Sequence, residues 1–247
     1  MPLSGIEPKG GKSTPAHMNG GKNLTHYLLE TLGNAIVTGE YSGRHFPNEG
    51  ELVKEFGISR SVTREAVKML GAKGLLGARP KIGTYILPED QWNLFDSDVL
   101  RWLLESRSSV RLLRHFTELR IAVEPQAAAL AAVHADSAAL AGIKAGLHRM
   151  AEAEEGRDNP LEADIAFHVA ILRASNNPFI NQLREAIATA LKTSIRFTNQ
   201  IVGHTASVAD HGVVLEAIER RDPNAARAAM EKLIIDVRSL IEDDCVV

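Results

Sequence analysis

Arg60 and Arg64 stand four residues apart in the stretch Gly57-Ile-Ser59-Arg60-Ser61-Val-Thr-Arg64. On a helix that spacing sends both guanidinium groups from one face, beside the hydroxyls of Ser59 and Ser61. An arginine fork fits guanine O6 and N7, a hydroxyl reaches a base or a phosphate, and free N–H groups at a helix start attract phosphate. Further on, Arg79 and Lys81 flank a turn ended by Gly83, which permits the close backbone approach that a minor-groove contact needs. The competing reading is a solvated helix face with one arginine paired to Glu65 or Glu55.

A second group lies in the other half of the chain. Asp164 and His168 are also four apart and share one helical face, and His211 opens a later helix. A carboxylate and two imidazoles can form the first shell of Zn²⁺ or a similar cation. The alternative is a core histidine satisfied by Asp164, with His211 as a helix cap. Arg120 projects from an Ala- and Leu-rich segment and is expected to be partly buried. It then needs either a protein carboxylate, with Glu124 at i+4 the nearest choice, or an anionic ligand.

The elements that must hold these groups are legible from periodicity. Residues 1–22, rich in Gly, Pro, Lys and Ser, read as a disordered tail. Leu24, Leu28, Leu32, Ala35 and Ile36 recur at helical spacing up to Gly39. Asn48 and Glu51 form a capping-box pattern opening a helix over 49–56, which Gly57 ends. Ser59 is a fitting N-cap for a helix over 60–73, in which Val62, Ala66, Val67 and Leu70 face inward. Residues 75–78 and 84–87 read as a two-stranded hairpin. Residues 88–97 form a linker. Helices follow near 98–105, 109–133, 136–155, 160–174, 178–201, 207–221 and 223–243. Helix, short helix, turn, helix and hairpin is the winged helix-turn-helix order, here over 23–87, and 98–245 is an all-helical antiparallel bundle. The fold class is mainly α.

Composition bounds what these units can be. The 247 residues carry a formal charge of −3, with 45% hydrophobic and 24% charged side chains, as in ordinary folded domains. Residues 1–95 have a net charge of +2 and residues 96–247 a net charge of −5. A basic module on an acidic one points to a polyanion partner for the first half alone. There is no signal-peptide core and no run of 18 apolar residues, so neither export nor a membrane span is expected. One cysteine, Cys245, excludes an internal disulfide framework and a Cys-rich zinc site. A cytoplasmic protein is expected.

The stretch Phe46-Pro-Asn-Glu49, Ser59-Arg60-Ser-Val-Thr-Arg64-Glu-Ala-Val, Gly74-Leu-Leu and Arg79-Pro-Lys-Ile-Gly83 resembles the winged-helix domain of GntR-family transcription regulators. The resemblance implies that Arg60, Arg64 and their hydroxylic neighbours contact operator DNA. Gly50 departs from the fatty-acid-responsive members, which carry a DNA-contacting arginine there. The second half resembles the FCD ligand-binding domain of the FadR subfamily through Glu118–Pro125, Asp164–His168, Asn176–Pro178 and Asp210–Asp222. That likeness implies a divalent metal on Asp164, His168 and His211 and an effector site including Arg120 and Asn177. The subfamily's third histidine falls at Leu233, which cannot ligate, with His204 a conceivable substitute. Residues 91–102 are similar to those of galactonate-operon repressors and other sugar-acid-responsive members, which implies a hexonate or uronate effector.

The expectation is a homodimeric repressor of sugar-acid catabolism genes, released from a palindromic operator when a small carboxylate binds the helical half. Two other classes compete. One is a metal-dependent hydrolase using Asp164, His168 and His211, since an open coordination position activates water. The other is a DNA-binding architectural protein without an effector; a regulator answering a different organic acid is a variant of the main reading.

Overall fold

Helix α1 (Gly21–Val37) buries Leu28, Leu29, Leu32, Ala35 and Ile36, a stripe that includes Leu29 and leaves Leu24 half-exposed. The computed structural model describes residues 21–81, 83–106, 109–202 and 207–243. Most of the expected tail, His204, Cys245 and the expected breaks at 107–108 and 203 lie outside these. Because α1 begins at Gly21, residues 21 and 22 belong to its first turn rather than to a tail. First-turn N–H groups need no partner within the helix, so Gly and Lys are tolerated there.

Helix α2 (Glu49–Phe56) starts with the complete capping box: Asn48 Oδ1 accepts from the N–H groups of Gly50 and Glu51, and Glu51 accepts from the N–H of Asn48. Gly57 ends it in the left-handed region, φ 66°. Ser59 caps α3 (Arg60–Ala72), whose buried side chains are Thr63, Ala66 and Leu70. Val62 and Val67, expected inside, are only half-buried, because Thr63 takes the inward position with its hydroxyl donating to the Ser59 carbonyl.

Strands β1 (Leu76–Arg79) and β2 (Gly83–Ile86) pair antiparallel, one residue out from the expected bounds, with Gly77 opposite Tyr85. A Cβ on Gly77 would stand 2.7 Å from the Tyr85 ring, so only glycine lets that ring lie across β1. The segment after the hairpin docks on the head rather than hanging free: Glu89–Gln91 forms a 3₁₀ turn, and Trp92 Nε1 donates to the Leu87 carbonyl.

The chain divides into two compact units between Leu94 and Phe95. The second contains α4 (Ser97–Glu105), α5 (Ser109–His134), α6 (Ser137–Glu154), α7 (Pro160–Ala174), α8 (Pro178–Gln182), α9 (Arg184–Val202), α10 (Val208–Glu219) and α11 (Pro223–Asp243). Its core joins Leu113, Ile143, Met150, Phe167, Ile171, Ile187, Val214, Ile218, Met230 and Ile234. Helix α5 packs on α11 and α7, and α6 on α7. The helix expected over 178–201 is broken at Leu183. There the Leu183 N–H reaches back to the Ile180 carbonyl, the Arg184 guanidinium donates to the Asn181 carbonyl, and regular helical pairing resumes with the Ile187 N–H on the Leu183 carbonyl. Among the described residues no helix is long and apolar enough to cross a membrane.

Candidate functional site

In the head, Ser59, Arg60, Ser61 and Arg64 are all exposed, and the cap geometry points the start of α3 outward. Ser59 Oγ lies 3.0 Å from Ser61 Oγ, so the two hydroxyls form one polar edge beside Arg60. Arg64 pairs with neither Glu65 nor Glu55. Its Nε and Nη2 donate to Glu49 Oε2 at 3.2 and 3.3 Å, across from the first turn of α2. Spacing could not reveal that partner, which is fifteen positions away. On the hairpin, Arg79 is exposed and lies over the Tyr85 ring at 5.0 Å from its centroid. Lys81 (φ 68°) and Gly83 (φ 85°) both adopt left-handed backbone in the turn. The head thus presents arginines at a helix start and a cation in the turn of a hairpin.

In the helical unit, α5, α7 and α10 bring five ionisable side chains into the interior: Arg120, Glu124, Asp164, His168 and His211, none more than 4% exposed. Arg120 Nε donates to Glu124 Oε1 at 2.5 Å, and His168 Nδ1 lies 2.5 Å from Glu124 Oε2. The pairing of Arg120 with Glu124 is the i,i+4 partner foreseen from spacing; the bridge onward to His168 has no local signal. Burial pushes the Glu124 carboxyl up, but Arg120 and His168 outweigh it and hold it down at about 2. Burial likewise raises Asp164, and His168, His211 and Arg120 reverse that to leave it below the usual carboxylate range.

The ligand atoms of Asp164, His168 and His211 all lie within 4.8 Å of one another. His211 Nδ1 donates to the Ser207 carbonyl at 2.7 Å, so in the neutral ring Nε2 carries the lone pair. That Nε2 is 3.0 Å from Asp164 Oδ1, yet it is buried and makes no hydrogen bond. His168 Nε2 is 3.9 Å from the same oxygen. A tetrahedral ion with bonds of ~2.1 Å separates its ligand atoms by about 3.4 Å, between those two distances. A carboxylate oxygen facing an imidazole lone pair is repulsive unless a second ring proton or a metal ion lies between them, and one carboxylate with two imidazoles is a donor set that fits a divalent metal. Backbone carbonyl and carboxylate partners on the outer ring nitrogens complete the pattern of a metal-binding histidine pair.

Leu233, at the expected third-histidine position, is buried in the apolar core and offers no ligand. Asn177 follows the end of α7, and its Oδ1 caps α8 by accepting from the N–H groups of Phe179 and Ile180.

The two units match two known family models: residues 26–86 that of bacterial regulatory proteins of the gntR family, and residues 115–236 that of the FCD domain. The molecule is therefore a winged-helix transcription regulator whose second unit is an all-helical FCD domain. The chain belongs to the GntR family. It is 36% identical over 226 residues to the galactonate operon transcriptional repressor of Escherichia coli K12, covering 89% of this chain and 98% of that protein. It is 35% identical over 217 residues to the E. coli K12 HTH-type transcriptional regulator YieP, covering 86% and 93%. The solved structure described as "Lar controls the expression of the Listeria monocytogenes agr system and mediates virulence" superposes with a TM-score of 0.53 at 19% identity, covering 89% of this chain and 97% of that one, and supports the fold. These relatives are transcription regulators, not enzymes, which sets aside the hydrolase reading of Asp164, His168 and His211.

Proposed function

We propose that this regulator is a homodimeric repressor of sugar-acid catabolism genes. The observation that carries the sensing half is the buried cluster itself: a guanidinium beside three side chains arranged for a divalent ion. Zn²⁺ would sit on Asp164, His168 and His211, and with only three protein ligands its open position is available to a carboxylate or hydroxyl oxygen of the effector. Arg120 supplies the second charge for the effector's carboxylate, and a polyhydroxy carboxylate of the hexonate or uronate class suits both. The 36% identity to a protein named for the galactonate operon supports that class.

In the head, Arg60 and Arg64 would read the major groove with Ser59 and Ser61, while Arg79, Lys81 and Gly83 reach the minor groove. Two such heads related by a two-fold axis read a palindrome. The effector need favour the non-binding arrangement of the heads by only about 1–3 kcal/mol to empty the operator at working concentrations. Gel-shift titration of the full-length protein on its own upstream promoter tests this, with galactonate, gluconate and glucuronate added in turn in the presence of Zn²⁺. Retarded DNA released by one of these acids supports the reading. Specific retention untouched by every sugar acid overturns the effector class, and failure to retain promoter DNA overturns the regulator's site assignment. Light scattering decides the dimer.

A further inference from the structure

Glu124 is neither one of the three metal ligands nor the arginine offered to the effector, yet it touches both sets. Its Oε1 accepts from Arg120 Nε and its Oε2 from His168 Nδ1, at 1% exposure. We propose that Glu124 is the positioning residue of the sensor, holding His168 in the tautomer that presents Nε2 to a divalent cation and tying that tautomer to the charge on Arg120. The proposal rests on the metal reading above.

Donors and acceptors must match around the His168 ring. A neutral imidazole has one N–H, and a carboxylate oxygen 2.5 Å from Nδ1 draws it there. His168 Nε2, which faces Asp164 and His211, then keeps its lone pair. A carboxylate has an acceptor for each neighbour, whereas an amide has only one. With glutamine at 124, the single oxygen turns to the buried guanidinium, because an NH₂ group facing that cation would leave it unpaired. The amide NH₂ then faces His168 Nδ1, which must accept, so the imidazole proton moves to Nε2 and the cation loses a ligand. Taking away Arg120 as well frees the amide oxygen to turn back to His168 and restores the metal-binding tautomer.

The test uses full-length protein stripped with a chelator, titrated calorimetrically with Zn²⁺ alone, together with ¹⁵N spectra of the histidine rings of the metal-free protein. Glu124→Gln weakens Zn²⁺ binding by about 10- to 100-fold, and Arg120→Met with Glu124→Gln recovers most of that loss. In the spectra His168 carries its proton on Nδ1 in the wild type and on Nε2 in Glu124→Gln. Zn²⁺ affinity in Glu124→Gln equal to the wild type overturns the proposal, as does a double variant that binds no better than the single one. If Glu124→Gln fails to fold, the metal-free wild type decides alone: a proton on Nδ1 of His168 supports the proposal and one on Nε2 overturns it. Wild-type protein that takes up no Zn²⁺ overturns the metal reading and this proposal together.

Discussion

His211 Nε2 lies 3.0 Å from Asp164 Oδ1, while Nδ1 of the same ring is committed to the Ser207 carbonyl. Water is largely excluded, since the two residues are 2% and 4% exposed, and an unrelieved contact of two electron pairs in such a place is costly. The Ser207 carbonyl prevents the easy remedy, a shift of the His211 proton to Nε2, by holding Nδ1 as the donor. A second proton on the ring relieves the contact, and so does a metal cation held between the two groups.

Zn²⁺ is therefore expected to stabilise the helical unit. At a hundredfold excess over its dissociation constant the gain is about 2.7 kcal/mol. Asp164→Asn removes the charged ligand and should abolish that gain while the metal-free protein still folds. Thermal unfolding with Zn²⁺ and with a chelator measures both; a midpoint that ignores Zn²⁺ in the wild type contradicts the assignment.

On the head, Arg60→Ala is expected to cost about 1–3 kcal/mol of discrimination between the operator and scrambled DNA, the usual magnitude of one arginine–guanine fork. Zn²⁺ binding by the same variant should be unchanged. Glu49→Ala separates the roles of the Arg64 pair. The exposed ion pair is worth about 0–1 kcal/mol, so stability barely moves, while freeing Arg64 alters its preference among operator variants. Competition gel shifts on a set of point-mutated operators read the difference.

How far such features show in the bare chain depends on their range. The Asn48–Glu51 box, the Ser59 cap and the Arg120–Glu124 pair act over three or four positions, and helical geometry alone dictates them. Asp164 and His168 are visible for the same reason. The contact of Glu124 with His168 spans 44 positions and exists only once α5 packs on α7. Arg64 finds Glu49 rather than Glu65 or Glu55 because the turn between α2 and α3 carries the first turn of α2 alongside it. The break at Leu183 is local, a three-residue bond from the Leu183 N–H to Ile180 beside a guanidinium on the Asn181 carbonyl, and periodicity does not register it. The Asn177 cap on α8 is likewise local, acting over two and three positions.

Acid should loosen the metal-free protein in a defined window. The Glu124 carboxyl is lowered from an ordinary 4.5 to about 2, against burial, by Arg120 and His168. A group depressed in the folded state contributes stability that is complete above its unfolded value and is lost as pH falls through the folded one. The loss attributable to Glu124 therefore runs from roughly pH 4.5 down to about 2, with Asp164 adding loss in the same sense. Urea midpoints across that range, taken with chelator present, should fall less steeply in Glu124→Gln than in the wild type. Parallel slopes would mean that the carboxylate is not ionised in the folded state.

The spacing of α6 and α7 offers the sharpest packing test. A Cβ on Gly146 would stand 2.8 Å from Phe167 Cα and 3.0 Å from its nitrogen, and both are backbone atoms that cannot swing aside. Gly146→Ala therefore forces the helices apart, at a cost of about 1–3 kcal/mol. Phe167 meets the rings of both His168 and His211 edge-on, at centroid distances of 6.0 and 5.0 Å, so the displacement reaches the cluster. Gly142, one turn earlier on the same helix, is exposed and would place a Cβ in open space. There alanine should stabilise by about 0.5–1 kcal/mol through helix propensity alone. Urea denaturation and Zn²⁺ titration of the two variants side by side give the outcome: Gly146→Ala loses both stability and metal affinity, and Gly142→Ala loses neither. Equal behaviour of the pair would show that the close approach of α6 to α7 does not set the geometry around His168 and His211.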